Sequence, residues 1–228
     1  MPVITFANPK GGAGKTTSAL LLATELAARG ASVAVIDADP EKWISQWGAL
    51  PGRPASLTIN SDVTEDSIVD QIEAAQGSAQ FVVVDLEGTA SLMVAQAIGM
   101  ADLVVIPTQG ASMDARGAAK TIRLIRTQGR LARRDIGHAV LLTRTSAAVA
   151  SRSLRNVRDQ LAEAGTPVFE TEIVDRAAYR DLLDYGGTLA GLDPAQTSNL
   201  AKAQANARAF AAEVVARLKA AQAPAEVA

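Results

Sequence analysis

A glycine-rich loop stands between the first apolar run of the chain and its first helical pattern. The run "VITFAN" is typical of a buried strand, and the stretch from Lys15 to Arg29 has helical spacing that Gly30 ends. The loop between them, "PKGGAGKTT", contains three glycines, which let backbone N–H groups turn inward around an anion at the helix N-terminus. A strand, such a loop and a helix in this order indicate the first unit of a parallel α/β sheet.

The rest of the chain alternates strands with helices. Continuous apolar runs, which indicate strands covered on both faces, occur in "SVAVID", "QFVVVD", "DLVVIP" and "HAVLLT", with "SLTIN" and "PVFETEI" as shorter extended pieces. Helices are predicted near 15–29, 64–75 with Thr64 as N-cap, 89–100, 111–130, 151–164 and 194–219. We predict an α/β fold, a doubly wound and mostly parallel sheet with helices on both faces.

Composition narrows the class of protein. The 228 residues include no cysteine, which excludes disulfides, thiolate zinc sites and iron–sulfur clusters. No apolar run reaches the ~18 residues that a membrane span needs, and the N-terminus lacks the pattern of a secretion signal. We therefore expect a cytoplasmic protein, with one domain over residues 1–220 and a frayed tail over 221–228.

The loop carries residues suited to a nucleoside triphosphate. Lys15 is placed to reach the β- and γ-phosphates, and the Thr16 hydroxyl to bind Mg²⁺. The usual phosphate-loop pattern has glycine where this chain has Pro9, so the loop is a variant. The predicted nucleotide-binding residues of the loop are Lys10, Gly11, Gly12, Ala13, Gly14, Lys15, Thr16 and Thr17.

The variant K-G-G-x-G-K-T-T resembles the deviant Walker A box of the ParA/MinD family of ATPases. The resemblance implies that Lys10 reaches across a dimer interface to the nucleotide of the partner, so that dimerisation requires ATP. It also implies a single P-loop ATPase domain with ATP and Mg²⁺ as cofactors. Because the loop begins near residue 9, we expect a small ParA-type partition protein without the helix-turn-helix that precedes the ATPase in longer relatives.

Two further segments resemble the switches of that family. In "VIDADP", the resemblance implies that Asp39 orients the attacking water and that Asp37 supports the magnesium shell, although each Asp alone also suits a turn after a strand. In "FVVVDLEG", Asp85 is expected to hold Mg²⁺ through water, and Gly88 to act as a hinge. Many relatives carry a small residue where this chain has Glu87.

The segment "VLLTRT" resembles the strand end where relatives contact the adenine. The resemblance implies that Thr143 and Arg144 lie against the base, and an arginine can stack on it. A surface position for Arg144 is the alternative. Trp43 and Trp47 are one helical turn apart and are expected to pack on the core, or to join a partner surface if exposed.

Basic residues are concentrated in one segment. Eleven basic residues and one acid lie between Arg116 and Arg158, although the net charge of the chain is −2. Helical spacing places several on one face, with Arg134 among them, and steps of three repeat on the next helix. One interpretation is a solvated face, and the other is non-specific DNA binding through phosphates. The predicted DNA-binding residues are Arg116, Lys120, Arg123, Arg130, Arg152, Arg155 and Arg158.

The function that this pattern favours is an ATP-dependent partition ATPase. The resemblance implies weak basal hydrolysis, a homodimer with ATP, non-specific DNA binding near the nucleoid, and a ParB-like partner on a plasmid or chromosome that stimulates hydrolysis. Conjugative transfer or the positioning of protein clusters would use the same mechanism. A MinD-like membrane-surface ATPase would need a basic amphipathic C-terminal helix, whereas the chain ends in "PAEVA", so no membrane partner is expected.

Overall fold

The computed structural model describes residues 1–89, 91–110, 112–146 and 151–222, without the side chains of 112–114 and 222. The strands are β1 Val3–Phe6, β2 Val33–Ala38, β3 Leu57–Asn60, β4 Phe81–Leu86, β5 Leu103–Thr108, β6 Gly137–Thr145 and β7 Ile173–Val174. The helices are α1 Lys15–Ala28, α2 Trp43–Gly48, α3 Ile68–Ser78, α4 Leu92–Met100, α5 Ser112–Ala132, α6 Arg152–Glu163, α7 Ala177–Tyr185 and α8 Leu200–Gln222. Most of the predicted tail, residues 223–228, lies outside the described part.

The strands form one sheet in the order β3-β2-β4-β1-β5-β6-β7, and every pairing between them is parallel. β1 is central, between β4 and β5, and all four of its side chains are buried. The sheet confirms the predicted fold class. It also brings the ends of β2, β4, β5 and β6 around the loop that follows β1, because carboxyl ends of parallel strands share one edge.

Alternate residues of the strands pack into two separate cores, one on each face of the sheet. On one face Ile4 and Phe6 pack with α1, α2, α7 and α8. On the other, Val3 and Val82 pack with α3, α4, α5 and α6. Both faces are therefore covered, as the continuous apolar runs predict. Among the described residues, every helix is too short or too polar to span a bilayer.

Helix α1 ends as the sequence predicts. Gly30 has a left-handed φ of 85°, and the N–H groups of Gly30 and Ala31 donate to the carbonyls of Ala27 and Leu26 at 3.0 and 3.2 Å. This pattern is a Schellman motif, which satisfies carbonyls that the helix itself leaves without partners.

Two predicted helix starts are wrong. Thr64 does not cap α3, because its carbonyl accepts from Ser67 and Ile68 in a separate turn, and the helix begins at Ile68. The last helix begins at Leu200 rather than near Pro194, because Asn199 takes a left-handed φ of 54° that interrupts the helical path. The short helices α2 and α7 were not predicted, since α2 in particular is too short to show a period.

We expect two glycine substitutions to change stability in opposite directions. Gly30→Ala should lower the free energy of unfolding by about 1 to 2 kcal/mol, because nothing crowds the added Cβ but the left-handed φ disfavours it. Gly77→Ala, in an equally open position in α3, should raise it by up to ~1 kcal/mol. Urea unfolding measures both, and a loss of stability in both variants would contradict the backbone argument.

Candidate nucleotide and magnesium site

The loop after β1 is shaped by glycines in conformations that other residues avoid. Gly12 and Gly14 have φ values of 74° and 97°, and Gly14 is the N-cap of α1. Among described residues, no hydrogen bond is donated by the backbone N–H groups from Gly11 to Thr17. The loop and the first turn of α1 therefore present a set of unpaired N–H donors, the arrangement that binds phosphate.

Side chains from neighbouring strands hold the carbonyls of this loop. Gln109 Nε2 donates to the Gly12 carbonyl at 2.6 Å, and Thr143 Oγ1 donates to the Ala13 carbonyl at 2.7 Å. The buried Asn8 donates to the Pro107 carbonyl at 2.7 Å and accepts from the Lys10 N–H at 2.9 Å. Sequence reasoning missed Asn8 and Gln109, because nothing local marks a contact made across 97 or 99 residues.

Two buried carboxylates face each other across neighbouring strands beside the loop. Asp37 of β2 and Asp85 of β4 are paired in register, and both are fully buried. Asp37 Oδ2 accepts from the N–H and hydroxyl of Ser45, at 2.8 and 2.6 Å. Lys42 Nζ donates to the Asp37 carbonyl at 2.9 Å. These contacts fix the start of α2 to the end of β2.

Asp85 has no such partners among the described residues. Neither carboxylate oxygen has a hydrogen bond of good geometry to a described residue, although the Thr16 hydroxyl is close enough to favour the ionised form. Burial raises the pKa of Asp85 to about 7, with the negative charge of Asp37 adding to the rise and Lys15 opposing it. A buried carboxylate without a donor, next to a threonine hydroxyl, fits an oxygen-bound divalent cation such as Mg²⁺.

Lys15 lies at the base of the same site. It is buried, and burial lowers the pKa of its ammonium group, while the charges of Asp85, Asp39 and Glu87 act to raise it. A Cβ on Gly88 would lie 3.3 Å from Gly11 N and 3.4 Å from Lys15 Nζ. The segment after β4 therefore packs directly on the loop, which places Glu87 close to Lys15.

A cavity of about 910 Å³ opens over the loop. Its lining includes residues 11–17, Asp39, Trp43, Gly88 and Arg144. A second cavity of about 260 Å³ adjoins it and is lined by Gly14, Thr143, Arg144 and residues of α7. Arg144, with a left-handed φ of 51°, borders both. The two cavities suit a triphosphate and a base, and contact of Thr143 and Arg144 with adenine stays a prediction.

The aromatic residues near the site have different roles. Trp47 is buried in the core, whereas Trp43 is 51% exposed at the rim of the larger cavity. The Tyr179 hydroxyl lies 3.1 Å from the Ala203 carbonyl and 3.0 Å from Asn206 Oδ1, two acceptors that share its single hydrogen, and burial raises the pKa of that hydroxyl to about 12. Tyr179 thus joins α7 to α8.

The predicted DNA-binding residues lie on two neighbouring helices of one face. Those of α5 and α6 are exposed, and the two helices pack against the same core. Arg158 forms an ion pair with Glu172. Arg134, expected on the basic face, lies beyond α5 instead, and it donates to the carbonyls of Gly99 and Ala101 at 2.7 and 2.9 Å because the end of α4 needs donors.

Comparison with known proteins identifies the family of the chain. Residues 1–221 match the profile of the family described as VirC1 protein. Protein ParA from Rhizobium radiobacter is 40% identical over 96% of this chain and 98% of its own. Maintenance of carboxysome distribution protein A from Halothiobacillus neapolitanus is 29% identical over 80% of this chain and 84% of its own.

Solved structures share the fold. Apo McdA from Cyanothece matches with a TM-score of 0.78 at 16% identity, covering 94% of this chain and 99% of that one. Cobyrinic acid a,c-diamide synthase from Mycobacterium smegmatis, with a bound ATP analog and magnesium, matches with a TM-score of 0.64 at 19% identity, covering 81% and 93%.

The raised pKa of Asp85 predicts a pH-dependent stability without nucleotide. A carboxyl group whose pKa is higher in the folded state stabilises below its unfolded value, near 4, and this contribution is lost as pH rises to about 7. The free energy of unfolding of Asp85→Asn, relative to the wild type, should therefore increase between pH 4 and 7 and level off above. Urea unfolding at several pH values measures the difference, and a difference that is constant with pH would contradict the buried charge.

Proposed function

The chain belongs to the VirC1 protein family and to the ParA/MinD-type P-loop ATPases, and we propose that Mg-ATP makes it dimerise and hold DNA without sequence preference. Hydrolysis, stimulated by a ParB-like partner bound to a plasmid or chromosome, resets the cycle. The observation that supports this most is the unpartnered Asp85 carboxylate beside Lys15 and a loop of free N–H donors.

Each residue of the site has a defined role in this proposal. The N–H groups of residues 11–17 hold the phosphate oxygens, and the Lys15 ammonium neutralises the β- and γ-phosphates. The Thr16 hydroxyl and Asp85 would hold Mg²⁺, Asp85 through water, with Asp37 supporting them. The ion would supply positive charge to the phosphates, where negative charge develops during transfer.

Asp39 and Lys10 complete the reaction. Asp39 is half-buried at the rim of the cavity, and its Oδ1 accepts from the Glu41 N–H at 3.0 Å, which fixes the carboxylate for orienting water. Lys10 acts on the nucleotide of a second copy, as a cation that stabilises developing charge in the manner of an arginine finger. Only ATP carries the γ-phosphate that the two copies share, so hydrolysis separates them.

DNA would bind the exposed cations of α5 and α6 through phosphate contacts. Neither helix supplies aromatic side chains for base stacking, so the contact carries no sequence information. The strength of such binding rests on counterion release and falls steeply with salt. We therefore infer a nucleoid-associated cytoplasmic protein.

A protein complex, positioned in the cell by the same cycle, is a second candidate for the cargo. The carboxysome distribution protein is related over most of both chains, and its name gives it a distribution role. The same ATP cycle would serve either cargo, and the partner decides between them. A pull-down with the wild type and Mg-ATP, followed by identification of the captured DNA or protein complex, separates the two.

A membrane surface is a weaker fit than DNA. Helix α8 buries Phe210, Val214 and Leu218 in the core, so its apolar face is already covered. A helix that lies on lipid needs that face free. Sedimentation with anionic liposomes in the presence of Mg-ATP tests this alternative.

Lys15→Ala should weaken nucleotide binding strongly and, with it, DNA retention. Charge-assisted hydrogen bonds contribute ~1.5 to 3 kcal/mol each, so the loss of the ammonium should weaken ATP binding by at least about tenfold. Calorimetry measures ATP binding, and a filter assay measures DNA retention with and without ATP. Equal retention of wild type without nucleotide would contradict the proposed function.

Lys10→Ala should bind ATP normally but lose the ATP-dependent dimer. The reason is that the lysine is assigned to the partner's phosphates rather than to its own. Light scattering with a non-hydrolysable analogue measures dimerisation, with Lys202→Ala, an exposed lysine of α8, as the matched control. Unchanged dimerisation of Lys10→Ala would refute the role in trans.

A further inference from the structure

A basic groove lies at the edge of the sheet opposite the nucleotide cavity. It has a volume of about 920 Å³ and forms where α5 ends and β6 begins. The phosphate loop follows the carboxyl end of β1, whereas this groove borders the amino end of β6. Its charged or titratable lining residues are Arg123, Arg126, Arg130, Arg133, Arg134, Asp135 and His138.

In the part of the chain that the structure describes, four of these arginines have no carboxylate partner. Within the described ranges, Arg123, Arg126 and Arg133 form no ion pair, and Arg130 donates only to Thr127 Oγ1, at 3.4 Å. All four are exposed. Asp135 is the one acid of the lining, so the groove keeps a clear excess of positive charge. Cations held together without acids need solvent or an anionic ligand to offset their repulsion.

Arg133 occupies a position that favours glycine. It has a left-handed φ of 55°, and the next N–H, of Arg134, donates to the Gly129 carbonyl at 3.0 Å, closing the end of α5. At the same position after α1 the chain has Gly30. The partial negative charge at a helix C-terminus favours a cation in the last turn of the helix. It does not explain why an arginine, rather than glycine, occupies the left-handed position. Such strain is often kept at functional sites.

We propose that this groove is the main contact for the phosphate backbone of double-stranded DNA. The inference rests on the proposed function and deepens it, by moving the contact from α6 to the end of α5 and by adding Arg126 and Arg133. Positions 123 to 133 extend over about 15 Å of helix. Over that length duplex DNA carries on the order of nine charges, far more than a small phosphorylated ligand.

A lipid surface suits the groove less well. The apolar face of α5 is used in the core, where Ile122 and Ile125 are buried. Leu131, which is 73% exposed, is the one large apolar side chain of α5 with high exposure among those that the structure describes. A single leucine cannot supply the apolar area that interfacial binding needs.

The position of the groove also explains why DNA binding would depend on ATP. If the copies meet at the nucleotide edge, both grooves of a dimer stay uncovered. Two linked grooves at the outer ends of the dimer can hold two segments of a long DNA, with an avidity that a single groove lacks. A monomer should therefore bind DNA weakly, and the ATP-bound dimer tightly.

The test compares three variants that each lose three positive charges. The groove variant is R126A/R130A/R133G. Its third change, R133G, places glycine at the left-handed position and should therefore leave the Tm unchanged or raise it. The α6 variant is R152A/R155A/R158A. The control, K202A/R208A/K219A, removes exposed cations of α8, on the other face of the sheet.

The affinity for a random-sequence duplex is measured by fluorescence anisotropy across a range of salt concentrations, with Mg²⁺ and a non-hydrolysable ATP analogue. The groove variant should lose at least about tenfold in affinity, and its salt slope should fall by up to ~0.9 for each phosphate that it no longer neutralises. The control should stay within about threefold of wild type. ATP binding and dimerisation of the groove variant should be unchanged, which excludes misfolding as the cause.

Three results would overturn the inference while leaving the proposed function intact. The groove variant could bind DNA like wild type, the α6 variant could lose more affinity, or the control could lose as much. Groove-dependent sedimentation with anionic liposomes, without groove-dependent DNA binding, would also overturn it in favour of lipid. If wild type itself fails to bind DNA with the ATP analogue, the proposed function fails instead.

Discussion

The carbonyl groups of the phosphate loop are held from outside by side chains at the ends of β5 and β6. Gln109 and Thr143 each donate a hydrogen bond to one of these carbonyls, so the neighbouring N–H groups point toward the cavity. Each such bond contributes ~1 kcal/mol, but a buried carbonyl left without a donor would cost more. The strand order β1-β5-β6 therefore shapes the loop as much as its glycines do, and the chemistry of the site depends on the topology of the sheet.

The charges inside this site are unfavourable until a ligand enters. Burial disfavours the ionised forms of both Asp85 and Lys15, because it raises the pKa of Asp85 and lowers the pKa of Lys15. A ligand that brings both phosphates and a divalent cation would offset both costs, since each buried charge would gain a partner of opposite sign. Binding to the folded state alone also stabilises it by mass action. Ligand binding and folding stability would thereby be linked through these two side chains.

Local features of the sequence predicted the fold and the conformation of the loop, because each rests on neighbouring residues. Gly30, for example, ends α1 where the pattern places it. Contacts between distant residues could not be predicted in the same way. Arg134 fits the helical spacing of its neighbours, yet it lies past the end of α5 and caps α4. Asn199 interrupts a helical pattern through a backbone angle that its sequence neighbours do not reveal.

The two tryptophans of the chain, four residues apart, differ sharply in environment. Trp47 is buried in the core and borders the large cavity from inside, and Trp43 stands half in solvent at the mouth of that cavity. An indole that sits in solvent emits differently from one in an apolar interior, so a ligand that covers the cavity mouth would change the emission of Trp43 most. The protein thus carries an intrinsic optical signal for occupancy, with no label to perturb the loop beside it.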